Sequence, residues 1–225
     1  EKMGFRANGE TRQHTQGVRT FLLTVLEKGL ANRRVFPSLV GPRVWVRFPR
    51  MGDASEVIDF RTRNATHLEP WEPARPEGFR TELFWRENLR RVTDEFDAEK
   101  IALFHVYEKE ALSRPEAGKL LGHITASPIF PMPRSSCNLG YSTDERAQGK
   151  GIMTEAAGLV VAYLFKEWNL HKVEAGFPLE NPGSGRVLEK LGFERIGLAR
   201  RHVFVGGRWK DIMLTSKFNP EWLNK

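Results

Sequence analysis

Arg146-Ala-Gln-Gly-Lys-Gly-Ile-Met-Thr-Glu-Ala-Ala157 sets two glycines around a lysine and then passes straight into an apolar-periodic run. Met153, Ala156, Ala157, Val160, Leu164 and Trp168 recur at helical spacing, so the run reads as one face of a long helix with the glycines at its entrance. Asn138 to Ser142, just upstream, reads as a strand. A bend between strand and helix leaves several amide N–H groups without helical partners, all converging on one point. With the helix dipole behind them and no side chains in front, they suit an anion, and Lys150 adds positive charge. The bend is not a nucleoside-triphosphate loop, because Ile152 stands where that pattern needs a hydroxyl. It is not a dinucleotide fingerprint either, because Thr154 takes the place of the third glycine. Alone, the bend is equally well an ordinary turn into a helix.

Working outward, Val44 to Phe48 alternates as a strand after Gly41-Pro42 and marks the expected start of the main domain, residues 41–225. Residues 1–40 read as an extension: a polar tail to about 14, then one amphipathic helix carrying Val18, Phe21, Leu22, Val25, Leu26 and Leu30. Helices are expected at Ser55 to His67, with Ser55 as cap, and at about Phe79 to Phe96. The proline-rich loop Glu69 to Gly78 lies between them. Ile101 to Tyr107 and Leu120 to Thr125 read as strands joined by a polar turn at Arg114-Pro115. Lys172 to Phe177 reads as a strand, Gly183 to Leu191 as a helix closed by Gly192, and the end as a hairpin turning at Gly206-Gly207. An antiparallel meander followed by strand, helix, strand and helix predicts an α/β (α+β) fold, with a mixed, mostly antiparallel central sheet and helices on both faces.

The net charge of +7 is spread through the chain and favours acidic partners without naming one. Arg61/Arg63, Arg86/Arg90/Arg91 and Arg200/Arg201 read as solvated faces rather than binding patches. A single cysteine excludes an intramolecular disulfide framework and favours a cytoplasmic protein. No apolar run approaches the roughly 18 residues that a membrane span needs. Cys137 has no neighbouring base to make it a nucleophile, and the six histidines show no ligand spacing, so no metal site is expected.

The order of elements resembles the Gcn5-related N-acetyltransferase (GNAT) superfamily. Arg146-Ala-Gln148-Gly149-Lys150-Gly151 matches the family motif Q/R-x-x-G-x-G/A, which implies that the bend grips the pyrophosphate of coenzyme A. Asn181-Pro-Gly-Ser184, followed by Leu191-Gly-Phe193, matches a second family feature. The loop His67-Leu-Glu-Pro-Trp71-Glu72-Pro73, the strand Leu139-Gly-Tyr141 and the hairpin end Gly207-Arg-Trp209-Lys-Asp211 sharpen the likeness toward the ribosomal-protein-alanine acetyltransferases of the RimJ and RimL group. The resemblance covers residues from about 43 to 222.

It implies direct attack of an amine on acetyl-CoA within a ternary complex. Leu139 to Tyr141 would pair with the pantetheine arm like an added strand and offer a backbone N–H to the developing oxyanion. Gln148 to Met153 would hold the pyrophosphate. Ser184 would donate its hydroxyl to the leaving sulfur, and Asn181 would order the cofactor or cap its helix, two roles that are compatible. Trp71 and Glu72 would face the acceptor. Glu72 either holds or deprotonates the amine or is a surface carboxylate, and Tyr141 also reads as strand packing. Where one group of members carries a glutamate base, this chain aligns Val203, so the base stays unassigned. Trp71, Phe79, Phe84 and Trp85 either wall an acceptor cleft or fill the core.

An α-amine has a pKa of about 8 and a lysine side chain about 10.4, so near neutral pH freeing the first costs under about 1 kcal/mol and the second about 4 kcal/mol. A site without a strong base therefore suits an N-terminal α-amine, here of a ribosomal or other protein, with ribosome association and a dimer both open. The alternatives are a small-molecule acetyltransferase acting on a polyamine, amino acid or aminoglycoside, and a non-catalytic module binding acyl-CoA or RNA.

Overall fold

Alternation in the sequence announces most of the sheet. The computed structural model describes residues 36–109 and 119–222. The helix expected over residues 18–30, the tail before it and the turn at Arg114-Pro115 lie outside the described residues. Among the described residues one sheet of eight strands runs in the order β1 (Ser38–Val40), β2 (Val44–Arg47), β3 (Ala102–Glu108), β4 (Leu120–Phe130), β5 (Ser136–Thr143), β6 (Lys172–Pro178), β8 (Arg208–Phe218) and β7 (Glu194–Val205). Every neighbouring pair is antiparallel except β5 and β6. Helices α1 (Ala54–Arg63), α2 (Ala65–Leu68), α3 (Glu82–Asp97), α4 (Ile152–Glu167) and α5 (Pro182–Lys190) complete the framework.

The two faces follow from strand alternation. Val44 and Val46 point into one cluster, where Phe104, Ile124, Leu139 and Val173 meet the stripe Met153, Ala156, Ala157, Val160 and Leu164 of α4. Trp45, between them, packs instead on the second cluster, where Val57 and Phe60 of α1 and Trp85 and Leu89 of α3 cover Tyr107 and Leu120. Full burial of a side chain of this size stabilises by about 1.5–3 kcal/mol, so the two faces together supply the main cohesion.

A parallel pair needs a crossover, which α4 supplies between β5 and β6. Their pairing is short: Ser136–Leu139 against Lys172–Ala175. Past Leu139, β5 follows β4, while β6 past Ala175 follows β8, so the two strands part and a V opens between Gly140–Thr143 and Gly176–Pro178. This gap positions the site.

Three local expectations shift. Ser55 is not a cap, because the one-turn helix Met51–Asp53 precedes it and the chain enters α1 already helical. The expected helix to His67 breaks at Asn64, whose buried side chain donates to the Phe60 carbonyl at 2.9 Å and to Asp144 Oδ2 at 3.2 Å. The sheet begins with Ser38, paired to Arg47, ahead of Gly41. The cap of α3 is Thr81, whose hydroxyl accepts from the Phe84 N–H at 3.3 Å.

Candidate active site

Gly149 and Gly151 have φ of 72° and 75°, a left-handed conformation that costs a side-chain-bearing residue about 1–2 kcal/mol. Gly151 is the N-cap of α4. Behind the bend Arg43 grips the chain: its Nη1 donates to the Lys150 carbonyl at 2.7 Å and its Nε to Glu155 Oε2 at 2.7 Å. Glu155 Oε1 in turn accepts the Arg43 and Val44 backbone N–H groups at 2.8 and 3.2 Å. Burial pulls the Glu155 carboxyl up, but these bonds outweigh it and hold it below its usual range. A Cβ on Gly151 would lie 3.2 Å from the Arg43 guanidinium, whereas one on Gly149 would meet nothing within 4 Å. The carbonyls of the bend are thus drawn back while its other side stays open.

A second brace comes from α1. Arg63 Nε donates to Asp144 Oδ2 at 2.7 Å, and the Glu145 N–H donates to Asn64 Oδ1 at 3.0 Å, just before the bend. Burial raises the Asp144 carboxyl, and bonds from Arg63, the Arg146 N–H and Asn64 more than reverse this.

The V between β5 and β6 opens into a cleft of about 650 Å³. Trp71, Glu72, Tyr141, Gln148, Gly149, Gly151, Ile152, Met153, Asn181 and Ser184 all line it. Leu139 is buried where the strands part. Arg146 and Lys150 line a separate hollow of about 160 Å³ on the other side of Ile152. Val203 lies on β7 opposite Lys210 and does not line the cleft.

Asn181 caps α5, its Oδ1 accepting the Ser184 N–H at 3.1 Å. The Ser184 hydroxyl lies 2.9 Å from the Tyr141 hydroxyl, which is also 3.0 Å from the Ser184 carbonyl. Burial pushes the Tyr141 phenol up to about 12, with the Ser184 bond opposing, so at neutral pH it is a protonated donor. Tyr141 therefore does more than pack. Gln148 Nε2 meets His67 Nε2 at 2.9 Å and ties the bend to the loop carrying Trp71.

The facing wall holds residues whose roles the sequence hides. Arg61 does not lie on a solvated face: its guanidinium is drawn in by the Glu72 carboxylate and stands 5.6 Å from the Trp85 ring centroid. Arg75 Nη2 donates to Glu72 Oε2 at 3.2 Å. Phe79, Phe84 and Trp85 pack on one another at 5.0–5.6 Å as core around Arg61, and only Trp71 of the four aromatics lines the cleft. His123 of β4 sits between Arg61 and Ser142, and each approaches both ring nitrogens: Arg61 Nη2 lies 3.1 Å from Nε2 and 3.4 Å from Nδ1, Ser142 Oγ 2.8 Å from Nδ1 and 3.3 Å from Nε2. Burial first, then the charges of Arg61 and His105, hold His123 well below the ordinary imidazole range, so its ring is neutral. Lys210, buried, donates to the Pro70 carbonyl at 2.8 Å and lies 4.4 Å from the Trp71 ring centroid, fixing the tryptophan loop.

Burial pushes the Cys137 thiol up to about 12, aided by Glu174, and leaves it an inert core residue. Among the described residues no three His, Cys, Asp or Glu side chains group as a metal site, and no helix is long and apolar enough to cross a membrane.

Residues 43–194 match the family model described as acetyltransferase (GNAT) domain. The chain is 30% identical over 184 residues to the [ribosomal protein uS5]-alanine N-acetyltransferase of Escherichia coli K12, covering 82% of this chain and 92% of that protein. The ribosomal-protein-S5-alanine acetyltransferase of Vibrio fischeri superposes with a TM-score of 0.77 at 32% identity, covering 83% of this chain and 99% of that one. Mycobacterium smegmatis RimJ, solved in complex with CoA-disulfide, gives 0.72 at 26% identity over 84% and 89%. With the glycine bend, the parted strands and the Asn181–Ser184 turn in place, the chain belongs to the GNAT acetyltransferase family and is an N-acetyltransferase.

Proposed function

We propose that this enzyme transfers acetyl from acetyl-CoA to the N-terminal α-amine of a protein in the cytoplasm, a ribosomal protein being the first candidate because the relatives above act on one. Acetyl-CoA supplies an activated acetyl thioester. The chain's own residues fit such a donor: the positive-φ glycines leave an open face of N–H groups for a diphosphate, and Gly140–Thr143 present an unpaired strand edge to a peptide-like arm. Ser184, backed by Tyr141 at 2.9 Å, would offer its hydroxyl to the departing sulfur. Asn181 orients that turn by capping α5.

The observation that carries the acceptor class is the state of Glu72. It is the one carboxylate among the described residues lining the cleft, and it is already held by Arg61 and Arg75. A polyamine needs spare negative charge, which this wall lacks, whereas a single α-amine does not. Glu72 in this setting positions the wall rather than serving as a free base. The test is turnover: acetyl-CoA with Ala- or Ser-initiated peptides should release free thiol and add one acetyl group at the N-terminus, while spermidine should be a poor acceptor. Preferential acetylation of spermidine would overturn the assignment, and binding without turnover would make the chain a sensor.

A further inference from the structure

Lys210 of β8 is only 4% exposed, an uncommon place for an ammonium group. Its partners do not add up to an ordinary buried ion pair. Directly across the sheet stands Val203, on the same face and without charge. The carboxylate beside it, Glu180 Oε2 at 3.5 Å, belongs to a half-exposed side chain whose other oxygen accepts Arg208 Nη2 at 3.0 Å. What Lys210 holds closely is the tryptophan loop: Nζ donates to the Pro70 carbonyl at 2.8 Å and lies 4.4 Å from the centroid of the Trp71 ring. Gly206 at the hairpin turn backs on the same residue, where a Cβ would stand 2.9 Å from the Pro70 oxygen. Burying an ammonium is costly, and a shared carboxylate, one carbonyl and a ring face repay the cost only in part. An apolar side chain of similar length at such a position is often neutral or stabilising, so the charge has its use outside the cohesion of the fold.

We propose that Lys210 is a positioning residue for the acceptor. Its ammonium holds Trp71 in place as the cleft wall, and through Glu180 it ties that wall to the turn carrying Asn181 and Ser184, so that amine and acetyl thioester meet at a fixed offset. This rests on the N-terminal α-amine reading above, in which Trp71 faces the acceptor. Trp71 and Ser184 line the one cleft from two different loops, and Lys210 with Glu180 bridges those loops from behind. Lys210 itself does not line the cleft and would touch neither substrate.

The test uses the intact chain with an Ala-initiated pentapeptide as acceptor. Lys210→Met keeps the length of the side chain and removes its charge. It should raise the KM for the peptide about five- to tenfold, change the affinity for CoA by calorimetry less than twofold, and leave the melting temperature at or above that of the wild type. Lys210→Arg, which keeps a cation over the ring, should stay within about threefold of the wild-type KM. Trp71→Ala should raise the same KM, and adding Lys210→Met to it should cost nothing further, because the two act through one contact. A Lys210→Met chain that fails to fold, melts lower or loses CoA affinity in parallel makes Lys210 a scaffold residue and overturns the proposal. An unchanged peptide KM, an arginine variant no better than the methionine one, or additive losses in the double variant overturn it equally. In all these cases peptides acetylated by the wild type leave the α-amine reading standing, whereas a wild type that binds acetyl-CoA and acetylates no peptide removes both.

Discussion

Arg43 and Glu155, 112 residues apart, close on each other at 2.7 Å directly behind the glycine bend. The same guanidinium holds the Lys150 carbonyl, so the ion pair fixes which way the peptide groups of the bend face. Arg43 itself is half exposed, and an exposed pair contributes little stability by itself. Its importance is orientation. Arg43→Ala should lower the affinity for CoA by about tenfold and cost the fold no more than about 1 kcal/mol. Calorimetry with CoA beside a urea titration separates the two; loss of stability without loss of affinity would put the pair in the scaffold only.

Gly149 and Gly151 should fail differently. Both lose about 1–2 kcal/mol to positive φ when a side chain is added. Gly151→Ala also presses on Arg43, while Gly149→Ala projects into open space on the ligand side. Both variants should weaken CoA binding, and Gly151→Ala should also lower the melting temperature more. Thermal melts with and without CoA read out the difference.

Ser184→Ala and Tyr141→Phe should lower kcat by on the order of tenfold with less than a twofold change in the KM for acetyl-CoA, since each removes a donor that matters as the sulfur departs. Because burial places the Tyr141 phenol at about 12, its donor function is full at neutral pH and is lost only as pH climbs toward that value. The kcat profile should therefore show no falling limb due to Tyr141 between pH 7 and 10. A limb near pH 9 that disappears in Tyr141→Phe would contradict this.

Acid should unfold the protein early. His105 is fully buried, and burial holds it below the ordinary imidazole range despite the Asp53 carboxylate 3.2 Å away. With its folded pKa depressed, the unfolded chain takes up the proton first as pH falls below about 6.5. Stability is then constant above that pH and declines below it, by up to about 1.4 kcal/mol per pH unit. His123 adds in the same direction. Burial raises the Asp53 carboxyl, but bonds from His105, Arg47 and the Arg50 N–H outweigh it, so its stabilising contribution is present above about pH 4 and lost below. Urea midpoints from pH 7.5 to 5 should fall, and His105→Asn should flatten the slope.

The motifs that decide the fold were legible because each is local: the glycine bend, Asn181 through Ser184, and the alternation of β2 to β6. Arg43 was not, since nothing near Gly41-Pro42 signals a partner in α4. Arg61 looks like one of a solvated pair until Glu72 and a ring of aromatics enclose it. His123 lies in an apolar-alternating strand, and only the register that pairs it with Ser142 across the sheet sets it beside polar partners. Ser55 has the chemistry of a cap but not the place of one, because a cap is defined by the backbone that precedes it and a helical turn, Met51–Asp53, lies there. Tertiary charge pairing and register, rather than composition, placed these residues.

The most direct measurement is a crystal structure of the chain with CoA. The diphosphate should lie within hydrogen-bonding distance of the backbone N–H groups of Gly149 to Gly151, the pantetheine arm should pair along Gly140–Thr143, and the sulfur should sit beside the Ser184 hydroxyl. A clearly bound CoA whose diphosphate lies elsewhere, with the glycine bend facing solvent, would contradict it.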